Sequence, residues 1–141
     1  MVTETPLIRP ATLADVDAIV SVGHRTWPPT YTAIAGGDYV QLGLAKWWTR
    51  TEIAAQVKAG RALVAEVEEQ VVAVASAGPL DGDLVLFKLY VVPEHQGRGI
   101  GQLLLERVLS AARESGHQII RLSYLEGNDS ARDFYTRNGF T

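Results

Sequence analysis

The stretch VVPEHQGRGIGQLLLERVL, Val91 to Leu109, puts a proline, a glycine-rich run and a leucine-rich run side by side. A valine-rich segment running into Gln96-Gly97-Arg98-Gly99-Ile100-Gly101 and then into a helical pattern reads as a strand, a tight turn and a helix. That geometry aims several backbone N–H groups at one place beside the positive end of the helix dipole, which suits a phosphate. Glycines remove the Cβ atoms that block close approach and permit the positive φ angles a nest of amides requires. Arg98 can add a charge-assisted contact. A bare strand-to-helix turn without a ligand is the alternative reading of these letters. Two commoner phosphate motifs fail: a Walker loop needs Gly-Lys-Ser/Thr where Gly101 is followed by Gln102-Leu103, and a dinucleotide fingerprint counted from Gly97 needs glycine where Gln102 stands.

Working outward, Ile100, Leu104 and Val108 form one apolar stripe with Leu105, Leu109 and Ala112 beside it, and Gly116 stops the helix. Ile119 to Leu125 reads as a strand, and Asn128 or Asp129 caps a last short helix that carries Phe134 and Tyr135 and ends at Gly139. Upstream, Arg61 to Val67, Val71 to Ala77 and Leu84 to Val92 read as an antiparallel meander, turning at Glu68-Glu69-Gln70 and at Pro79-Leu80-Asp81-Gly82. Leu7 to Arg9 is a short strand. Thr12-Leu13-Ala14-Asp15 fits a capping box for a first helix with Leu13, Val16, Ile19 and Val20 on one face, reaching about Arg25. Trp27-Pro28-Pro29-Thr30-Tyr31 breaks that helix, and Gly36-Gly37 keeps the next stretch irregular. Thr49-x-x-Glu52 caps a second helix with Ile53, Ala54 and Val57 inward and Gly60 as its stop. The element order is β, α, α, β, β, β, α, β, α.

At 141 residues and 47% hydrophobic, the chain supports one domain with one core. A formal charge of -3 gives no electrostatic footprint for nucleic acid. Without cysteine there is no disulfide framework or thiol nucleophile, and His24, His95 and His117 lack metal-ligand spacing, so no metal is expected. No apolar run approaches membrane-spanning length, and MVTETPLIRP lacks a basic region followed by an apolar one, so a cytoplasmic location without membrane association is expected.

Two blocks resemble the GNAT superfamily of acyl-CoA-dependent N-acetyltransferases. Gln96, Gly99 and Gly101 match its Gln/Arg-x-x-Gly-x-Gly/Ala signature, led in by Val91-Val92-Pro93. LEGNDSARDFYTRNGF, Leu125 to Phe140, is similar to its Asn-x-x-Ala-x-x-Phe-Tyr-x-x-x-Gly-Phe block. The resemblance implies a mixed, mostly antiparallel α/β sheet with flanking helices and strands splayed at an acetyl-CoA site. It implies that the amides from Gln96 through Gly97, Arg98, Gly99, Ile100 and Gly101 hold the coenzyme A pyrophosphate, and that Val91 and Val92 pair with the pantetheine arm like an added strand. A bulge within Leu89 to Val92 is expected to turn an amide toward the thioester carbonyl. Asn128 matches the asparagine that contacts the pantetheine, and Tyr135 the tyrosine that protonates the departing thiolate; a phenol remains a donor at neutral pH.

The same resemblance implies an acceptor pocket between the first two helices, with Trp27 and Tyr31 as candidate walls, while Trp47 and Trp48 are read as packing residues. The position of the glutamate base in histone-type members is held by Val85, which leaves Asp83, Glu66, Glu126 or a water chain as proton acceptors. The implied reaction is acetyl transfer from acetyl-CoA to a primary amine of a small molecule in a ternary complex. Acetylation of a protein N-terminus or lysine, and a non-catalytic acetyl-CoA sensor, stand as alternatives. Oligomeric state is open, a homodimer included. Because relatives continue from Gly139-Phe140 into two more strands, residues 1–141 are expected to be a single domain lacking those strands, roughly 15 to 25 residues, with Ile119 to Leu125 as an open edge unless something covers it.

Overall fold

The computed structural model describes residues 5–141. Its sheet is five-stranded in the order β1(Leu7–Pro10), β2(Ala62–Val67), β3(Gln70–Leu80), β4(Asp83–Val91), β5(Ile120–Leu122). The first four strands pair antiparallel and β5 joins β4 in parallel. The meander turns on pairs of positive-φ residues: Glu68 and Glu69 between β2 and β3, Asp81 and Gly82 between β3 and β4. Paired positive φ matches the right-handed twist of the strands, and Asp-Gly is a favoured sequence for it.

The helices are α1(Val16–Ala35), α2(Gly37–Trp47), α3(Arg50–Lys58), α4(Ile100–Glu114) and α5(Asp129–Arg137). Thr49 caps α3 by accepting from Glu52 N–H, and Asn128 caps α5 by accepting from Ala131 N–H. Adjacent residues of β4 show the two layers: Tyr90 meets Trp48 at 5.4 Å between ring centroids, whereas the Val91 side chain faces Gly101 on α4. Alternate strand residues point to opposite faces, so the α1 to α3 layer and α4 sandwich the sheet. Ile19, Val22, Trp48 and Ile53 pack one side, Leu104 and Leu105 the other.

Four readings of the sequence are corrected. The first helix does not end near Arg25: α1 runs through Pro28 and Pro29 to Ala35. A proline ring fixes φ near the helical value, and the hydrogen bonds it forfeits are offset by burial of Trp27 and Tyr31 on the same helix. The break falls at Gly36, at φ 88°, and Gly37 opens α2 where an irregular stretch was expected. Leu13 lies in a 3-10 turn ahead of α1 and is 55% exposed, off the apolar face assigned to it. At the other end, β5 is confined to Ile120–Leu122, shorter than Ile119 to Leu125, and it forms the sheet edge among the described residues.

The N-terminal strand is tied to the entry of α1 by a bidentate clamp. Arg9 donates to both Asp15 oxygens at 2.8 and 2.9 Å, and Asp15 also accepts from Thr12 N–H at 2.7 Å. The guanidinium first, and the Thr12 amide against the opposing cost of burial, hold the Asp15 carboxyl down at about 2. No helix of the described residues is long and apolar enough to cross a membrane.

Candidate active site

The site begins where the sheet opens. In the β3–β4 ladder Ser76 faces Lys88, yet the next residue, Ala77, faces Leu86. Phe87 is therefore the extra residue of a β-bulge. This corrects the expected position within Leu89 to Val92, which instead stays in register with β3 up to Ala73↔Val91. On its other edge β4 pairs with β5 only over Leu84–Leu86, after which the strands part. From the bulge to Val91 that edge of β4 keeps its N–H and C=O groups free of a partner strand, and the space beside it is a cleft of about 750 Å³.

The glycine turn closes the far end of this cleft. Gly97 and Gly99 have φ of 75° and 83°, a region L side chains occupy only at a cost. Ile100 starts α4 with no side-chain cap at its N-terminus. The N–H groups of Gly97 through Gln102 have no acceptor among the described residues, and the first helical bond into the turn is Leu103 N–H to Gly99 at 3.1 Å. A Cβ on Gly101 would make ordinary contacts with Phe134 and Val91. The cradle thus fits a polyanionic group such as a pyrophosphate: free donors, a helix dipole and little side-chain cover.

Among the expected site residues, Val91, Gln96, Gly97, Gly99, Ile100, Gly101, Asn128 and Tyr135 all border this cleft. Gln96 donates from Nε2 to the Val91 carbonyl at 2.9 Å, bracing the turn against the strand. Val92 does not border the cleft: its side chain is in the core at 1% exposure and its N–H goes to Val72. Arg98 is exposed and lies outside the lining. The Tyr135 ring stacks with Tyr124 and meets Phe134 and Phe140 edge-on. Burial, and secondarily the neighbouring Tyr31, push its phenol up to about 12, so it carries its proton across the neutral range.

A second cavity of about 620 Å³ joins the first through shared walls at Tyr31, Phe87, Lys88, Tyr90 and Tyr124. Trp27 sits among Tyr31, Tyr39 and Trp47 at centroid distances of 4.7, 5.7 and 5.7 Å. Gly43 permits this, since a Cβ there would overlap the Trp27 ring; Gly23 makes the same room for Trp48. Tyr31 and Tyr90 share a hydrogen bond at 3.0 Å, and burial raises both phenols. Trp48 is buried as expected of a packing residue, but it also lines the cavity, as does Trp47 at 36% exposure.

Sequence reasoning missed the floor of this cavity, Lys88 and Tyr90, along with Tyr39, Tyr124 and Glu52. The available signal was alternation: in Lys88-Leu89-Tyr90-Val91 polar and apolar residues take opposite faces. Two of the carboxylates considered as bases lie elsewhere. Asp83 pairs with Arg121 and Glu66 with Arg9, and Glu126, like both of these, borders neither cavity. Among the described residues no cluster of His, Cys, Asp or Glu could hold a metal ion.

A splayed parallel pair beside a bulge, closed by an amide-rich turn, defines an acyl-CoA-dependent transferase fold. A family model described as an acetyltransferase (GNAT) domain matches residues 58–141, and the chain belongs to the GNAT N-acetyltransferase family. It is similar to the spermidine N(1)-acetyltransferase of Thermoplasma acidophilum, at 21% identity over 94% of this chain and 86% of that one. Human N-acetyltransferase 8B is 39% identical over 55% of this chain, a segment spanning 37% of the human protein. Among solved structures, the PaiA N-acetyltransferase of Thermoplasma acidophilum in complex with coenzyme A superposes with a TM-score of 0.90 at 20% identity, covering 97% of this chain and 90% of that one.

Proposed function

We propose that the chain transfers the acetyl group of acetyl-CoA to a primary amine of a small molecule by direct attack in a ternary complex. The observation that supports this reading is the continuity of the two cavities at the bulge: one is strand-edged and amide-capped, the other lined by aromatic side chains. Pyrophosphate on the amides of residues 96–101 and pantetheine along Val91 and Asn128 would bring a thioester to the bulge, where an amine in the cavity walled by Trp27 and Tyr31 meets it. The amine nitrogen bonds to the acetyl carbon, the C–S bond breaks, the Tyr135 hydroxyl protonates the sulfur, and the proton shed by nitrogen passes through water to restore the Tyr135 hydroxyl. Products are an acetamide and coenzyme A.

A cavity of about 620 Å³ with aromatic walls has the size of a small-molecule site. The relative named for spermidine supports an amine of this size. The test pairs calorimetry of coenzyme A with steady-state kinetics of Tyr135→Phe. We expect kcat to fall by roughly 10²-fold or more, the range of a lost general acid, with acetyl-CoA affinity within twofold. A loss confined to affinity would remove Tyr135 from the acid role.

A further inference from the structure

The aromatic cavity also has a buried lysine in its wall. Lys88 is 6% exposed, and among the described residues its ammonium has neither an ion-pair partner nor a hydrogen-bond acceptor. It lies 5.1 Å from the Trp48 ring centroid. Ser76 is its directly opposed partner on β3, so the two side chains stand together on one face of the sheet. The Ser76 hydroxyl and the Trp48 Nε1–H are each about 1% exposed and have no partner either. Buried charges are almost always paired, and here a lysine that lines the cavity has no acidic partner among the described residues. The charges on the walls are Lys88 and Arg61 against the single carboxylate Glu52, in a protein whose net charge is -3.

We propose that the acceptor is an amine that also carries a carboxylate, of amino-acid type, with the carboxylate received by Lys88 while its amine points to the bulge. This rests on the acetyltransferase reading and narrows its substrate class. A carboxylate supplies the counter-charge and the acceptor lone pairs that the Lys88 ammonium lacks. A polyamine would instead place a second ammonium against Lys88, where like charges in a low-dielectric pocket repel. Aromatic walls at Trp27, Tyr39 and Tyr90 leave room for an apolar or aromatic side chain.

The test compares twins that differ only in the carboxylate: L-tyrosine with tyramine and L-lysine with cadaverine, with spermidine as a further probe. Each is titrated by calorimetry into the protein saturated with coenzyme A, and each is assayed with acetyl-CoA. We expect at least one acid to bind at least tenfold tighter than its decarboxylated twin, and Lys88→Met to bring that ratio within twofold of unity. A Tm of Lys88→Met at or above that of wild type, with coenzyme A affinity retained, guards against a folding defect in the variant. Tighter binding of tyramine, cadaverine or spermidine, no binding by either acid, or a preference that survives Lys88→Met overturns the proposal. Acetylation of the amines without acid preference sinks this inference alone, whereas folded protein that neither binds coenzyme A nor acetylates any probe sinks the acetyltransferase reading beneath it.

Discussion

Replacing Lys88 by methionine should make the free protein more stable while damaging its pocket. Burial holds the Lys88 ammonium from its ordinary 10.5 down to about 8, with Glu52 opposing weakly. A group whose folded value is depressed binds its proton more weakly in the native state, so the penalty is full below pH 8 and fades as pH rises through 10.5. At about 1.4 kcal/mol per pH unit, the penalty is about 3 kcal/mol at pH 7 and about 1 kcal/mol at pH 10. Methionine has similar length and no charge to desolvate. Urea denaturation of the two proteins at pH 7 and pH 10 measures this directly. Lys88→Met should be more stable by about 3 kcal/mol at the lower pH, with the gain shrinking at the higher. A variant no more stable than wild type at pH 7, or a gain independent of pH, would refute the account of Lys88 as an unpartnered buried cation held for a ligand.

Asp15→Asn should cost about 2 kcal/mol at neutral pH, because the Asp15 carboxyl lies near 2 instead of 3.8. That stability is present above pH 3.8 and lost as pH falls through 2, so the two proteins should converge in acid melts; equal stability at pH 7 would dismiss the clamp. Gly43→Ala drives a methyl into the Trp27 ring and should destabilise by about 1–3 kcal/mol, with acceptor KM rising and coenzyme A affinity retained. An unchanged KM would separate Trp27 from the pocket. Gly99→Val forces a β-branched residue to φ 83° and covers the amide cradle; coenzyme A affinity should fall at least tenfold, with a stability cost of about 1–2 kcal/mol. Retained affinity would contradict phosphate binding at the turn.

Most of the sheet was legible because a meander writes itself locally. Valine and leucine alternation and the Asp81-Gly82 turn specify strands and connection from neighbouring residues alone. The glycine turn and Tyr135 were legible for a similar reason, since each sits in a short contiguous block. Pro28 and Pro29 misled because local propensity opposes a helix there, and the burial of Trp27 and Tyr31 that overrides it is tertiary. Gly36-Gly37 misled in the same direction, one glycine ending a helix and the next beginning another. The bulge at Phe87 is a property of the β3–β4 pairing, so no reading of β4 by itself could place it. Lys88 looked like an ordinary polar residue in a strand, because only the packing of Trp48 and Ser76 around it makes it a buried cation.

If the cleft beside β4 and the aromatic cavity together acetylate an amine, release of free coenzyme A thiol from acetyl-CoA depends on that amine. Thiol is followed with and without L-tyrosine, L-lysine, tyramine, cadaverine and spermidine, and product mass is determined. The expected result is amine-dependent thiol release matched one for one by N-acetylated product, strongly reduced in Tyr135→Phe. Thiol release that ignores the amine, or none from folded protein with any of these acceptors, would contradict it.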